Sequence, residues 1–416
     1  MTSFTQPPPA PPAAPRFARA PMPFGEFIVM LALLFATVAF SIDAMLPLLG
    51  VMGAELSPPD PTRAQLVITV FVFGLGLGTF LAGPISDHLG RKPVILGGIA
   101  LYMAAAVMAA LSASLEMLLI ARFLQGLGTA GPRVASQAMV RDLYAGRQMA
   151  RVMSFAMTIF VLVPAVAPLL GAQIGGLFGW RAIFWSFLLF GLISGTWLLL
   201  RQPETLALEA RRPLAPARLW AALLEIARNK RVMLYLVALS FCFAAMFVWL
   251  SSVALIFDQS FARADEFPLW FALVALLSAP ASLLNARVVV RLGMRRLIVI
   301  ALFGQIGVSL CMLLLLQLPL SPSLAFAAFI TFMTLHFFSI GLLFGNLNAL
   351  ALEPLGHIAG MAASVVGGVS TMAAAVIATP IAAAFDGTPR PLVLGALFCA
   401  AVALAAMAVA RRWEQG

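Results

Sequence analysis

Long apolar segments constrain the fold of this chain more than any other feature of its sequence. A helix needs about 20 predominantly apolar residues to span the hydrocarbon core of a bilayer. Twelve segments approach or exceed that length, at residues 27–49, 65–82, 94–112, 116–136, 149–171, 181–200, 232–257, 267–290, 297–316, 323–349, 358–384 and 391–410. Only 10% of the 416 residues are charged, too few to cover the surface of a soluble protein. The sequence therefore predicts an all-α membrane protein with twelve transmembrane helices.

The positions of Lys and Arg indicate which side of the membrane each loop occupies. If the N-terminus is cytoplasmic, 20 of the 26 basic residues fall in cytoplasmic loops and tails, and four fall on the other side. Basic loops of membrane proteins stay in the cytoplasm, so we predict that both termini are cytoplasmic. This topology accounts for the net charge of +10, and we expect no nucleic-acid partner.

A hydrophilic stretch in the middle of the chain separates six predicted spans from six others. The predicted parts are a disordered, Pro- and Ala-rich cytoplasmic tail (1–24), an N-terminal six-helix bundle (25–200), a cytoplasmic linker (201–230), a C-terminal six-helix bundle (231–410) and a cytoplasmic tail (411–416). Within the linker, residues 217–228 form an amphipathic segment that we expect to lie on the inner leaflet.

The two predicted bundles resemble each other at matching positions. The loop after the second span contains Leu89-Gly90-Arg91, and the loop after the eighth contains Leu292-Gly293 followed by Arg295. Such a parallel repeat predicts a substrate site near the middle of the bilayer, between the two halves.

Three local motifs resemble those of the major facilitator superfamily. Residues 83–93, Gly-Pro-Ile-Ser-Asp-His-Leu-Gly-Arg-Lys-Pro, are similar to the signature loop between spans two and three. Residues 122–128, Arg-Phe-Leu-Gln-Gly-Leu-Gly, resemble the span-four motif of proton-driven members. The stretch from Pro164 to Gly171 resembles the span-five motif of drug antiporters, although Ala167 stands where that motif has Gly. His88 likewise replaces the usual Arg of the signature loop.

Within that superfamily, the chain resembles the Bcr/CflA-type drug:proton antiporters. The resemblance covers residues 24–410 and includes Asp43-Ala44-Met45-Leu46-Pro47 and Val140-Arg141-Asp142-Leu143. It implies a monomeric transporter of the bacterial inner membrane that works by alternating access and exports drugs or related amphiphilic molecules. It also implies that the proton gradient, rather than a cofactor, drives the cycle.

Two opposite charges, Asp43 and Arg122, lie well inside predicted spans. Each lies about six residues below the outer face, roughly 9 Å deep, so the two side chains are expected to pair. A carboxylate beside a guanidinium stays ionised, whereas a carboxyl alone in an apolar cavity binds a proton. Asp43 is therefore predicted to couple proton movement to transport with Arg122 as its partner. The alternative is a permanent ion pair that fixes helix packing.

Polar, aromatic and Met residues within the spans are candidates for contact with the substrate. They are Phe40, Met45, Gln125, Trp249, His336 and Phe338. For His336, the alternative is a hydrogen-bonded histidine with a packing role. The aromatic residues have the alternative of facing lipid or the protein core.

A second group of residues is predicted to control conformational change. On the cytoplasmic face, Asp87 is expected to accept hydrogen bonds from Arg141 or from amides at the start of span eleven, close to Gly90 and Arg91. In span five, the kinking residues Pro164 and Pro168, together with Gly171, are expected to seal a proton leak. The alternative roles are setting the topology for the loop and ordinary close packing for the helix.

Other classes of function fit the sequence less well. No Walker loop occurs, so we expect no ATP-driven step, and the three His residues lack the spacing of metal ligands. A membrane-embedded enzyme would need clustered catalytic groups. A transporter of one specific small metabolite remains the main alternative.

Overall fold

The structure, a computed structural model, describes residues 22–214 and 216–415, and most of these residues are helical. The helices are α1 (Phe24–Asp43), α2 (Leu49–Leu56), α3 (Leu66–Leu89), α4 (Arg91–Ala110), α5 (Leu115–Leu143), α6 (Gly146–Phe178), α7 (Ala182–Arg201), α8 (Pro216–Arg228), α9 (Lys230–Leu255), α10 (Phe267–Ser278), α11 (Pro280–Leu292), α12 (Met294–Leu315), α13 (Pro322–Leu352), α14 (Ala359–Ala383) and α15 (Arg390–Gln415). Helices cover the greater part of every predicted span, and the described residues contain no strand. The prediction of an all-α membrane fold is confirmed.

Nine helical segments in the described part of the chain are long and apolar enough to cross a membrane. One of the nine runs from Pro322 to Ala383 and contains both α13 and α14. Helix α5 is not among the nine, and it carries Arg122 and Arg133 in its interior. The protein therefore spans the membrane many times, and the number twelve stays a prediction.

Two predicted spans are not continuous helices. The first was predicted to run to residue 49, but α1 ends at Asp43 and the chain continues through a short 3₁₀ turn into α2. Pro47 lies in that turn, where it lacks an N–H for a helical hydrogen bond. The eighth predicted span is divided at Ala279 into α10 and α11, and Pro280 begins the second piece. Asp43 therefore lies at a helix end within the predicted span.

The predicted tails and the linker have mixed outcomes. Residues 1–21 lie outside the described part, and α1 begins at Phe24, the last residue of the predicted N-terminal tail. Helix α15 continues through the predicted C-terminal tail to Gln415, and the cytoplasmic position of that tail stays a prediction. The predicted amphipathic segment of the linker forms helix α8, which buries Ala222 and Ile226, and its position on the inner leaflet stays a prediction.

The helices before the linker pack mainly on one another, as do the helices after it. Helix α5 packs on α3 and α4, while α9 packs on α14 and α15. Two pairs of helices make most of the contact between these groups: α3 lies along α14, and α6 lies along α10. One continuous buried cluster extends across both groups, from Phe40 and Met45 to Trp249 and Phe329. The candidate site residues of both halves therefore belong to a shared interior.

Candidate functional site

Arg122 lies in the interior of α5 with no exposed surface. Its Nη2 donates to the carbonyl oxygen of Ser41 (3.0 Å), its Nε to the carbonyl oxygen of Val67 (3.3 Å), and its Nη1 to Oε1 of Gln125 (2.7 Å). The guanidinium also lies over the ring of Phe71, 4.2 Å from its centroid. Neutral acceptors and an aromatic face thus hold a buried cation in a fixed position.

The expected ion pair between Asp43 and Arg122 is absent from this conformation. Asp43 is only 4% exposed, and its carboxyl group makes no hydrogen bond or ion pair with any residue that the structure describes. The guanidinium contacts α1 at Ser41 instead, two residues before Asp43. The guanidinium bonds to a backbone carbonyl of α1 rather than to the carboxylate, so similar depth in the membrane did not ensure contact between the two charged groups.

Tyr102 extends the polar network around Arg122, and the sequence analysis missed it. The hydroxyl groups of Ser41 and Tyr102 are 2.8 Å apart, and Ser41 also donates to the carbonyl oxygen of Thr37 at 2.6 Å. Tyr102 is fully buried in α4. The signal available in the sequence was a tyrosine within an apolar span, in a chain with only three tyrosines.

The other candidate residues of the N-terminal half surround this network. Gln125 accepts from Arg122 through Oε1, while its buried Nε2 has no partner among the described residues. Phe40 packs between Phe187 and Phe190, each with ring centroids 5.4 Å away. Met45 follows Asp43 and is fully buried. These three side chains therefore flank the region around Asp43 and Arg122.

Helix α6 approaches the end of α1 very closely at Gly171. A Cβ atom at this position would overlap the backbone carbonyl of Ala44, the residue that follows Asp43. The helix remains continuous through Pro164 and Pro168, and Pro168 is buried. The predicted span-five motif therefore lies beside Asp43, and its gating role stays a prediction.

Trp249 and His336 meet inside the C-terminal half. Their ring centroids are 5.5 Å apart, and both side chains are almost completely buried. Phe329, Phe332 and Phe337 also pack on Trp249, with centroids 5.6, 5.2 and 5.9 Å away. The half-buried candidate Phe338 is absent from these ring contacts, and its neighbour Phe337 takes that place.

The loop between α3 and α4 is held by a different arrangement from the one predicted. Asp87 pairs with Arg91 at 2.5 Å, and Nε of Arg91 donates to Asp142 at 3.0 Å. Neither predicted partner of Asp87, Arg141 or the amides at the start of span eleven, bonds to its carboxylate among the described residues, because Arg91 takes that place in this conformation. Gly90 has a φ of 109°, which lets the chain reverse so that Arg91 lies back over Asp87.

Glu204 fastens the start of the linker to this loop. Its carboxylate accepts from the backbone amides of Arg91 (3.0 Å) and Lys92 (3.1 Å), the first residues of α4. The next residue, Thr205, donates from Oγ1 to Asp142 at 3.1 Å. Because Gly90 has no side chain to cap α4, an acceptor from elsewhere must satisfy these amides. Glu204 supplies it, and the sequence analysis missed this role.

Comparisons with known proteins agree with this architecture. The family model for the Major Facilitator Superfamily matches residues 29–379. The chain is 30% identical over 386 residues to a bicyclomycin resistance protein homolog of Haemophilus influenzae, covering 91% of this chain and 94% of that protein. It is 40% identical over 159 residues to a chloramphenicol resistance protein of Pseudomonas aeruginosa, covering 38% of each chain. The predicted resemblance is confirmed.

A solved structure of a D-xylose–proton symporter has the same fold. The two structures align with a TM-score of 0.68 over 91% of this chain and 97% of the symporter, at 16% identity. At that identity, the similarity extends to the fold alone.

Proposed function

This chain belongs to the major facilitator superfamily, and we propose that it exports drugs or related small amphiphilic molecules in exchange for protons. The resistance proteins to which it is similar support this direction of transport. We further propose twelve spans in two six-helix halves, both termini in the cytoplasm, and a monomer in the bacterial inner membrane. The proton gradient supplies the energy, so the proposal includes no enzymatic reaction, cofactor or ATP.

The buried and unpartnered carboxyl group of Asp43 carries the proposal. Burying an ionised carboxylate without a partner is costly, so this geometry fits the neutral, protonated form. Arg122 lies on α5 and reaches α1 at the carbonyl of Ser41, two residues before Asp43, but its guanidinium is satisfied by neutral acceptors. We propose that Asp43 alternates between this protonated setting and an ionised setting beside Arg122.

Exchange follows from the competition between proton and substrate. When the site opens to the cytoplasm, Asp43 releases its proton to water as the substrate binds. When the site opens to the other side, the substrate leaves and the carboxyl takes up a proton there. Phe40, Met45 and Gln125 line the proposed site from the N-terminal half. Trp249, His336 and Phe338 line it from the C-terminal half.

The loop between α3 and α4 is proposed to form part of the cytoplasmic gate. Arg91, held by Asp87 and Asp142, takes the role that the sequence assigned to Arg141. Glu204 links this cluster to the linker, so movement of the linker would be transmitted to the start of α4. Gly171 is proposed to contribute to gating, because its lack of a side chain lets α6 pack closely against the end of α1.

Drug susceptibility in an efflux-deficient bacterial host tests this function. The panel includes chloramphenicol and bicyclomycin, the compounds in the names of the two resistance proteins. The wild-type chain is expected to raise the inhibitory concentration of at least one compound. Asp43→Asn is expected to abolish that protection at an equal amount of protein in the membrane. Asp386→Asn, a change in the turn between α14 and α15, serves as the matched control and should protect fully. Full protection by Asp43→Asn would contradict the proposed coupling.

A further inference from the structure

Three ring nitrogens in the C-terminal half are buried without hydrogen-bonding partners. They are Nε1 of Trp249 and both Nδ1 and Nε2 of His336, and no described residue satisfies any of them. Trp249 has no exposed surface, and His336 is 2% exposed. Buried polar atoms in folded proteins nearly always have a partner, so three in one place require an explanation.

Phenylalanine rings pack around the two side chains that carry these nitrogens. We call the five rings of Trp249, Phe329, Phe332, His336 and Phe337 the aromatic cage. Phe332 and Phe337 pack on His336, with centroids 6.2 and 6.4 Å away, as well as on Trp249. Phenylalanine rings cannot accept or donate a conventional hydrogen bond. The ring nitrogens of Trp249 and His336 therefore find no hydrogen-bonding partner within the aromatic cage.

The aromatic cage lies on helices that correspond to those carrying the polar network in the other half. Asp43 is the twentieth residue of α1, the first helix of its half, and Trp249 is the twentieth residue of α9, the first helix after the linker. Arg122 and His336 lie on α5 and α13, which cover the fourth predicted span of each half. A parallel repeat places such corresponding helices around one central site. The cage also shares a continuous buried cluster with Phe40 and Met45.

We propose that the aromatic cage is the part of the substrate site that selects uncharged aromatic molecules carrying a hydrogen-bond acceptor oxygen. This inference rests on the proposed function and deepens it. The indole N–H of Trp249 is a donor, and neutral His336 offers one further donor and one acceptor. The phenylalanine faces suit a flat ring. Two N–H donors disfavour a cation, and the cage contains no basic side chain to neutralise an anion.

In this conformation the rings of Trp249 and His336 pack against each other. A flat ligand that enters when the two halves separate would replace this ring–ring contact with its own. Its carbonyl, nitro or hydroxyl oxygen would then accept hydrogen bonds that no protein group now receives. The cage therefore explains how a transporter with a single buried acid near its site can still recognise neutral cargo.

Equilibrium binding of a fluorescent ketone to the purified full-length protein tests the proposal. The probe is 6-propionyl-2-(dimethylamino)naphthalene, whose emission shifts to the red when its carbonyl accepts a hydrogen bond. The comparison probe, 6-propyl-2-(dimethylamino)naphthalene, has the same ring system and lacks the oxygen. His336→Phe is expected to weaken binding of the ketone about tenfold and to shift its bound emission to the blue. Binding of the comparison probe should change by less than about twofold.

Three further variants separate hydrogen bonding from packing. His336→Gln retains a donor and an acceptor and should restore most of the affinity for the ketone. Trp249→Phe retains an aromatic ring and should weaken the ketone alone, by about threefold to tenfold. Phe332→Leu is the matched control in the same cage, and it should affect both probes equally.

Two results would overturn the proposal. If His336→Phe and Trp249→Phe each weakened the binding of both probes equally, the two side chains would contribute apolar packing and no hydrogen bond to the ligand. An unchanged affinity for the ketone in both variants would place the ligand elsewhere. Because no pH gradient is applied, these results do not depend on proton coupling. A failure of the proposed function would appear instead as loss of protection by the wild-type chain in the drug panel.

Discussion

The two halves of this protein place very different chemistry on corresponding helices. In the N-terminal half, Arg122 is a permanent cation whose guanidinium nitrogens are bonded to Ser41, Val67 and Gln125. In the C-terminal half, Trp249 and His336 are neutral partners whose ring nitrogens are unbonded within the described structure. A buried cation whose three guanidinium nitrogens are all bonded is held rigidly, whereas ring nitrogens without bonds are available to a ligand. We therefore propose that the first half carries proton coupling and that the second half supplies the hydrogen bonds by which the cargo is recognised.

The largest effect is expected from Arg122→Gln, which removes the centre of the polar network. The change takes the guanidinium donors away from Gln125 and from the carbonyl oxygens of Ser41 and Val67, and it removes the cation available to ionised Asp43. Each unsatisfied buried group costs about 1–3 kcal/mol, so the melting temperature should fall and pH-driven transport should drop about 100-fold or more. Thermal unfolding and transport into vesicles measure the two effects. Arg390→Gln, at the first residue of α15, should change neither. If Arg122→Gln kept the proton coupling of the wild type, the proposed role of the N-terminal half in coupling would be contradicted.

A smaller effect is expected where α6 meets the end of α1. Gly171→Ala places a methyl group against the carbonyl of Ala44 and should push α6 away from Asp43. Overpacking of this kind costs about 1–3 kcal/mol, and we expect a leak of protons in the absence of substrate. Gly176→Ala is the matched control in the same helix, because its Cβ would meet no atom within 4 Å. Equal proton leak in the two variants would show that close packing at Gly171 is not what seals the site.

The linker provides a third test. Glu204→Ala removes the acceptor for the first amides of α4 and should destabilise this end of the helix by about 1 kcal/mol. Hydrogen exchange should become faster at the amides of Arg91 and Lys92, and transport should slow about twofold to fivefold. Glu209→Ala, an exposed change five residues further along the linker, is the control. Unchanged exchange at these two amides would exclude the fastening role of Glu204.

The smallest effect is expected from Tyr102→Phe, which removes one hydroxyl group from the network. Ser41 keeps its bond to the carbonyl of Thr37, so one bond is lost and no charge is exposed. The expected cost is about 1 kcal/mol of stability, with coupling retained. If Tyr102→Phe lost as much proton coupling as Arg122→Gln, Tyr102 would belong to the proton pathway rather than only support Ser41.

The sequence predicted those features that depend on length and periodicity. A helix covers the greater part of each apolar segment, and the signature loop around Asp87 and Arg91 lies at the junction of α3 and α4. The breaks at Pro47 and Pro280 were missed because the apolar run continues through both prolines, which hides the interrupted hydrogen bonding.

The contacts that each side chain makes were harder to predict than its position along a helix. Depth placed Asp43 and Arg122 near the same level, but the direction of each side chain around its helix decides contact, and hydropathy contains no such direction. Glu204 was missed for a related reason, since its partners are the backbone amides of Arg91 and Lys92, and a backbone amide is the same whatever the side chain. Tyr102 and Ser41 were missed because the search followed charge, whereas a buried cation can be satisfied by neutral oxygens.

Transport by the purified protein in vesicles, with and without a pH gradient, tests the division of roles most directly. Asp43→Asn and His336→Phe are compared with the wild type using the fluorescent ketone as cargo. We predict that Asp43→Asn loses accumulation driven by the gradient but still exchanges ketone across the membrane when no gradient is present. We predict that His336→Phe remains coupled to the gradient while its apparent affinity falls about tenfold. Gradient-driven accumulation by Asp43→Asn, or loss of coupling in His336→Phe at saturating ketone, would contradict the assignment of coupling and recognition to separate halves.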